Sequence, residues 1–346
     1  MRRDPVKAVL YGVGTMGKLI VPLLTEKGVI VIGAIGGRNH LGEDLGEVCG
    51  LERKLHVTVS DDPEEVLSTR SADVAIVSIA TFLADMFEPF ERCIRNGLNV
   101  LTISEEMHYA WGNEPELTAK LDHLARLHGV TIAGSGYTDH FFFGQVAGLA
   151  GCCHRIDRID GVGQDNLEDY GAGVAAMIHV GETVAAFEAA FPKSDGLRTW
   201  LQPVADAICV DLGLTPKTVR TSTTPWVEDV DMPCEVLDLT VKAGDVTGRT
   251  SQVDVETIQG THVHFEFRER LYREGETDLN RWSILGYPDV TIENPAPAIA
   301  TLTAAALVNR IPDVLDAQPG YRAPHQLSRP RYRPYPLHFY VRGDDS

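Results

Sequence analysis

Residues 8–20 read AVLYGVGTMGKLI, an apolar run that passes directly into a glycine-rich turn. The run is short and apolar, as in a buried parallel strand, and helical patterning follows the turn. In a GxGxxG turn the first glycine permits the sharp bend, the second lets a pyrophosphate approach the backbone, and the third allows close helix packing. A second apolar run follows at 29–35, and this context predicts dinucleotide binding. The expected cofactor contacts are Gly12, Gly14, Thr15, Met16 and Gly17.

Strand and helix signals alternate through the first 135 residues, with short connections between them. This alternation is typical of a parallel sheet with helices on both faces. We therefore predict an α/β fold with a Rossmann dinucleotide-binding domain over residues 1–135. Its strands are expected at 6–11, 29–35, 74–79, 99–103 and 130–133.

The pattern changes after residue 153, where strand-like segments dominate around one helical insert at about 180–212. These segments predict an α+β open-sheet domain, mostly antiparallel, for substrate binding and dimerisation over residues 136–296. The segment 286–297 is expected to form turns. An Ala- and Leu-rich helix at 297–320 is expected to return to the first domain. The Pro-rich tail, 321–346, is expected to pack on its surface.

Composition narrows the classes of partner and compartment. The 346 residues carry a formal charge of −18, which disfavours nucleic acid as a partner. No apolar stretch has the length of a membrane helix and no signal-peptide pattern is visible, so we expect a cytoplasmic protein with no membrane contact. The six cysteines form no CxxC pair or zinc spacing, and no metal site is predicted.

The end of the second predicted strand bears on cofactor choice. NAD-preferring sites usually place an acid there to bind the ribose 2′-hydroxyl, whereas this chain has glycines followed by a cation and an amide. NADP(H) is therefore favoured, and NAD(H) remains possible. The expected contacts here are Gly37, Arg38 and Asn39. The loop after the third strand should line the same crevice through Ser78, Ala80 and Thr81.

Two adjacent acids follow the fourth strand, in the stretch LNVLTISEEMHY at 98–109. Glu105 and Glu106 fall on the crevice edge, where a carboxylate has catalytic value. They are equally consistent with a helix N-terminus capped by Ser104, since first-turn acids complement the helix dipole. Spacing alone does not decide between catalysis and capping.

Several segments together resemble one known family. The stretches AVLYGVGTMGK, GAIGGRNHLGEDLGEVCG, TISEE, GSGYTDHFF and ATLTAAALVNRIPDVLDAQPG are similar to native NAD(P)-dependent amine dehydrogenases, related to 2,4-diaminopentanoate dehydrogenase. The resemblance implies a dihydrodipicolinate reductase-like fold, a homodimer, and reversible oxidative deamination of a primary amine. In reverse, a small ketone or aldehyde would react with ammonia. The family's functional glutamate aligns with Glu105, and a one-residue shift would make it Glu106.

The same resemblance and local pattern suggest residues of a substrate pocket. Several of them are aromatic, and others alternate along strands of the second domain. The face that carries His262 and His264 is polar, and it fits a pocket roof, a solvent surface or a dimer surface. The full expected set is Tyr137, Phe141, Arg158, Asp160, Tyr170, His262, His264 and Thr303.

Two other functions remain open from the sequence. Another imine or C=N reductase of the dihydrodipicolinate reductase-like group would share the fold, although the paired-His and Lys signature of that reductase is not visible here. A non-catalytic NADP(H)-binding sensor would need neither an acid at the strand end nor a closed pocket. Ammonia-dependent oxidation of NADPH separates these functions.

Overall fold

The chain forms two compact units in a computed structural model, which describes residues 4–37, 39–68, 71–191 and 199–343. The first unit comprises the described residues up to Gly144 and from Ala298 onward. The second unit is Gln145–Pro297. The segment 136–144, which the sequence groups with the second domain, belongs to the first unit because it packs against the helix that contains Thr303.

The described strands, numbered along the chain, are β1 Lys7–Tyr11, β2 Ile30–Ile35, β3 Val59–Ser60, β4 Val74–Val77, β5 Asn99–Thr102, β6 Thr131–Gly134, β7 Arg155–Asn166, β8 Pro216–Val227, β9 Met232–Cys234, β10 Leu239–Val241, β11 Val246–Thr257, β12 His262–Arg270, β13 Leu279–Tyr287, β14 Val290–Pro295 and β15 Gly320–Arg322. The α-helices are α1 Thr15–Glu26, α2 Leu45–Val48, α3 Pro63–Ser68, α4 Leu83–Arg95, α5 Ala110–Asn113, α6 Pro115–Leu127, α7 Gln145–Ala150, α8 Ala172–Met177, α9 Val184–Ala190, α10 Leu201–Asp211 and α11 Ile299–Leu315. A π-helix, Thr138–Gly144, precedes α7, and short 3₁₀ turns include Glu105–His108 and Leu167–Tyr170.

The first unit is built on a parallel sheet in the order β15-β6-β5-β4-β1-β2-β3. Its central strands are apolar and buried on both faces, as parallel strands between helix layers must be. Leu10 packs with α1 and α11 residues on one face, while Val9 packs with α4 and α6 residues on the other. The predicted Rossmann fold is confirmed, with the five predicted strands at β1, β2, β4, β5 and β6.

The C-terminal segment is more deeply integrated than a surface tail. β15 pairs with β6 and extends the sheet, and Tyr321 within it is 2% exposed. Farther along, Leu337 and Val341 join the hydrophobic cluster around α1. A three-residue strand has too little periodicity to be predicted, because only its pairing partner stabilises it.

The second unit contains a six-stranded sheet in the order β14-β13-β7-β12-β11-β8. Only the β7–β12 pair is parallel among these strands, so the predicted mostly antiparallel sheet is confirmed. On β12, Val263, Phe265 and Phe267 are buried, whereas the alternate side chains are half-buried on the opposite face. The segment 286–297 was expected to form turns, but it contains β14, which is stabilised by pairing with β13.

Among the described residues, no helix is both long and apolar enough to cross a membrane.

Candidate cofactor-binding and catalytic site

The glycine-rich turn after β1 has the backbone geometry that its sequence predicts. Gly12 adopts φ +118°, and a Cβ there would lie 2.3 Å from the Ser78 carbonyl oxygen. A Cβ at Gly17 would lie 2.3 Å from the Gly12 carbonyl oxygen, so both positions require glycine. Gly14, in contrast, has no atom within 4 Å of its would-be Cβ. The protein therefore leaves space at the position where a pyrophosphate is expected to approach.

The N-terminus of α1 is suited to an anion. Gly14 occupies the N-cap without a side-chain hydrogen bond, and the first turn contains no acid. Uncapped N–H groups and the positive end of the helix dipole attract phosphate. Thr15 is exposed at this end, while Met16 is half-buried and packs against the core. The turn thus fits a dinucleotide pyrophosphate.

A cavity of about 480 Å³ opens beside this turn in the first unit. Gly36 and Gly37 contribute to its wall just after β2, and none of the described residues that line it is acidic. Ala80 is half-buried against the apolar cluster of α4. Arg38 lies outside the described residues. The lining residues are Tyr11, Gly12, Val13, Gly14, Ile35, Gly36, Gly37, Asn39, Ser78 and Ile79.

Hydrogen bonds connect the glycine turn to the acid pair through the loop after β4. Ser78 Oγ donates to the Gly12 carbonyl at 3.2 Å. At the other end of this loop, the Thr81 carbonyl accepts from Ser104 Oγ at 2.5 Å and from the Glu106 N–H at 3.4 Å. Because β1, β4 and β5 are neighbours, the acids lie roughly two strand spacings, about 10 Å, from the turn. The acid pair and the glycine turn therefore lie on the same edge of the sheet.

Glu106 is a structural carboxylate. It is 0% exposed, and one oxygen accepts from the Leu83 N–H at 2.6 Å while the other accepts from Asn113 Nδ2 at 2.9 Å. Leu83 is the first residue of α4, so Glu106 caps that helix rather than its own turn. Both carboxylate oxygens of Glu106 therefore accept hydrogen bonds from within the protein.

Glu105 differs from its neighbour in exposure and in how it is held. Its side chain is half-buried, and its carbonyl accepts from the Nδ1 of His108 at 3.0 Å. Burial lowers the pKa of His108, which is 1% exposed, so the ring is neutral with its proton on Nδ1. Tyr321 secures the same turn, since its hydroxyl donates to the Met107 carbonyl at 2.9 Å. These two hydrogen bonds hold the backbone of the turn that contains Glu105.

A buried ion pair supports the adjoining π-helix. Arg310 of α11 donates to Asp139 at 2.7 and 3.0 Å, and both side chains are 1% exposed. Ser135 Oγ donates to the same carboxylate at 2.9 Å. Sequence reasoning missed this pair, as it missed Asn113 and Tyr321, because no local pattern relates residues this far apart in the chain.

Three predicted pocket residues meet in the first unit. Tyr137 stacks on Phe141 with ring centroids 4.5 Å apart and planes at 18°. The Tyr137 N–H donates to Thr303 Oγ1 at 3.4 Å. Gly136 has φ +144°, and a Cβ there would lie 3.0 Å from Thr303 Cγ2, so glycine allows α11 to approach.

Four others lie together on the open face of the sheet in the second unit. Arg158 donates to Asp160 at 2.7 Å and to His262 Nδ1 at 2.6 Å. His262 and His264 both contact Asp254, at 3.2 and 2.9 Å. These polar side chains satisfy one another in a connected network.

Tyr170 is separate from that network. Its hydroxyl donates to Asp165, whose side chain points to the opposite face from Arg158 and Asp160 because strand residues alternate. The five predicted residues of the second unit therefore fall on two faces. Among the described residues, no group of three or more His, Cys, Asp or Glu is placed to hold a metal ion.

Comparison with known proteins identifies the family. The family model for the 2,4-diaminopentanoate dehydrogenase C-terminal domain matches residues 144–333. The 2,4-diaminopentanoate dehydrogenase of Acetoanaerobium sticklandii is 26% identical over 339 residues, covering 95% of each chain. The structure of an amine dehydrogenase from Mycobacterium smegmatis is 39% identical, with a TM-score of 0.90 over 96% of this chain and 99% of that one.

A more distant structure shows only the shared fold. A probable dehydrogenase from Thermotoga maritima is 12% identical, with a TM-score of 0.60 over 93% of this chain and 92% of that one. The family match spans more than half of the chain and confirms the resemblance carried by the sequence motifs. The chain therefore belongs to the family defined by the 2,4-diaminopentanoate dehydrogenase C-terminal domain.

Proposed function

We propose that this chain is an NAD(P)H-dependent amine dehydrogenase. It would catalyse R₂CH–NH₃⁺ + NAD(P)⁺ + H₂O ⇌ R₂C=O + NH₄⁺ + NAD(P)H + H⁺. The observation that carries this proposal is the arrangement of the acid pair, in which Glu106 is fully tethered and Glu105 is half-buried at the nucleotide edge. Family membership gives independent support.

Glu105 would perform the proton transfers of this reaction. In the aminating direction its carboxylate takes a proton from ammonium, which frees the nitrogen lone pair for attack on the carbonyl. The same group then gives a proton to the departing hydroxyl, and its negative charge stabilises the iminium that results. The nicotinamide, when bound, donates or accepts the hydride. The proposal is supported by the half-buried position of Glu105, beside the fully buried Glu106.

The proposal is tested by incubating the protein with NADPH, excess ammonia and a panel of small ketones and aldehydes. We expect a loss of nicotinamide absorbance that depends on both ammonia and the carbonyl compound. Turnover of preformed imines alone would favour another C=N reductase. Binding of NADPH without oxidation by any carbonyl or imine would instead favour a sensor.

We further propose a preference for NADP(H) over NAD(H). The supporting observation is that Gly36 and Gly37 follow β2 and that the exposed Asn39 lines the adjoining cavity, whose described lining residues include no acid. An Asp or Glu side chain that binds the ribose 2′-hydroxyl of NAD would repel the 2′-phosphate of NADP, whereas the side-chain amide of Asn39 can donate a hydrogen bond to that phosphate. Comparing kcat/KM for the two cofactors is the measurement, and a strong preference for NAD(H) contradicts the proposal.

We also propose that the protein is a homodimer through the open face of the sheet in the second unit. That face carries both signs of charge, as in the Arg158, Asp160 and Asp254 network, and is thus compatible with a second copy of itself. Light scattering after size exclusion should give twice the mass of 37.9 kDa. A monomer mass at micromolar protein would contradict the dimer.

A further inference from the structure

Lys18, the fourth residue of α1, lies close to the glycine-rich turn. Its backbone N–H donates to the Gly14 carbonyl at 3.0 Å, so the two residues are one helical turn apart. Side chains four residues apart lie on the same face of a helix, and the Cα–Cβ bond tilts toward the N-terminus. The half-buried side chain of Lys18 therefore starts on the face of α1 that carries Gly14. That face is open at its N-terminal end, because a Cβ at Gly14 would meet no atom within 4 Å.

The ammonium of Lys18 reaches the loop that follows β2. Its Nζ donates to His40 Nε2 at 3.1 Å. The opposite nitrogen of this ring, Nδ1, donates to the Glu43 carboxylate at 3.2 Å, so the ring is held from both sides. His40 directly follows Asn39, which lines the cavity beside the glycine-rich turn. Lys18 therefore connects the two segments that border this cavity, at Gly14 and at Asn39.

The acids of this loop are bound to groups other than Lys18. Glu43 contacts the histidine ring, and Asp44 accepts from backbone N–H groups. Glu47 pairs with the exposed Lys54 at 3.0 Å. Among the described residues, no carboxylate forms an ion pair with Lys18, whose ammonium has three N–H donors and gives one to the histidine. Lys18 therefore offers a positive charge and further donors to an anion.

We propose that Lys18 binds the 2′-phosphate of NADP(H), together with the side-chain amide of Asn39. The inference rests on the proposed preference for NADP(H) and deepens it, because it names a cation that discriminates between the two cofactors. The 2′-phosphate is the charged group that NADP(H) carries and NAD(H) lacks. An ammonium gives this phosphate a charge-assisted hydrogen bond, which is stronger than the bond that a neutral amide donates.

The position of the ammonium favours the 2′-phosphate over the pyrophosphate of the cofactor. The pyrophosphate is expected at the uncapped N–H groups where α1 begins, whereas the Lys18 ammonium lies at the His40 ring, in the loop after β2. In dinucleotide-binding folds the residues after the second strand contact the adenosine ribose, which carries the 2′-phosphate. A cation in this place attracts NADP(H) and has no matching charge to attract in NAD(H).

The experiment is a fluorescence titration of the full-length protein with NADPH and with NADH, without amine or carbonyl compound. Lys18→Met keeps the aliphatic chain and removes the ammonium. It should raise the Kd for NADPH at least about tenfold and change the Kd for NADH less than about threefold, because only NADPH loses a charge-assisted bond. Lys18→Arg retains the charge and should raise the Kd for NADPH less than Lys18→Met does. Lys54→Met removes the same charge from an exposed residue that is already paired with Glu47, and this matched control should leave the ratio of the two Kd values unchanged.

Separate outcomes distinguish this inference from the proposed function. An equal loss of NADPH and NADH affinity in Lys18→Met overturns the inference, since the residue would then act on the pyrophosphate or on the fold. An unchanged Kd for NADPH in this variant also overturns it. A wild type that binds NADH more tightly than NADPH refutes the proposed cofactor preference, whereas a loss confined to NADPH in Lys18→Met still upholds the phosphate contact. Because the titration needs no turnover, absence of amine oxidation refutes only the dehydrogenase activity.

Discussion

We predict that substitutions of the two neighbouring glutamates, Glu105 and Glu106, affect different properties of the protein, turnover in one case and stability in the other. Glu106→Gln should lower the stability of the protein and change turnover less than Glu105→Gln does. Glu105→Gln should lower turnover strongly and destabilise the protein less than Glu106→Gln does. The difference follows from burial, because Glu106 is fully buried and caps α4, whereas Glu105 is half-buried.

The expected magnitudes follow from the hydrogen bonds. Glu106 accepts two bonds, at 2.6 and 2.9 Å, and bonds to a charged group are worth about 1.5–3 kcal/mol each. Alanine would lose both, at about 3–6 kcal/mol, a large part of a typical total stability. Glutamine has nearly the same volume, and the Asn113 side-chain amide can rotate to accept a hydrogen bond from its new N–H group. The expected loss of unfolding free energy in Glu106→Gln is therefore only the favourable interaction of the negative charge with the N-terminus of α4, about 1–2 kcal/mol.

The assays separate stability from chemistry. Urea unfolding followed by circular dichroism gives the change in free energy of unfolding, and initial rates with NADPH, ammonia and a ketone give kcat. Glu105→Gln should lower kcat by about 10² to 10⁴, the usual contribution of a general acid-base group, with a smaller loss of stability than Glu106→Gln. Full activity in a normally folded Glu105→Gln, with loss of activity in an equally stable Glu106→Gln, would refute the assignment.

Three further predictions concern the cofactor site, a buried ion pair and a buried acid. Gly14→Asp should fold normally, because a Cβ at this position meets no atom within 4 Å, but its carboxylate would repel the pyrophosphate. Fluorescence titration should then give a Kd for NADPH at least about tenfold higher than that of the wild type. Gly14→Ala is the uncharged control. Arg310→Met should lower the free energy of unfolding by about 3–5 kcal/mol, since Asp139 would be left buried without its partner, and a cost under about 1 kcal/mol in urea unfolding would contradict that reasoning. Burial raises the pKa of Asp206 from 3.8 to about 6, so the native state holds this proton more tightly than the unfolded state and stability falls as pH rises from about 4 to about 6. Asp206→Asn should therefore be more stable than the wild type at pH 7, by on the order of 2–3 kcal/mol, and equal to it near pH 4; urea unfolding at both pH values checks the sign.

The nucleotide site is the part of the candidate site that sequence reasoning describes best. Gly12 and Gly17 are required by backbone contacts within one strand–turn–helix unit, so their spacing in the sequence carries the geometry. The pocket residues are different. Tyr137 and Thr303 are in contact only because α11 packs in the first unit. Tyr170 does not join Arg158, because its partner Asp165 points to the opposite face of β7.

The sequence by itself determined the α/β class, the first five long strands of the parallel sheet and the anion-binding turn, because each depends on periodicity and turn chemistry within a few tens of residues. It also carried the family resemblance. Only the tertiary structure decided that Glu106 caps α4, that Arg310 pairs with Asp139, and that β15 extends the sheet beside β6. Those features join segments far apart in the chain, and their stability comes from burial and pairing that no local pattern records.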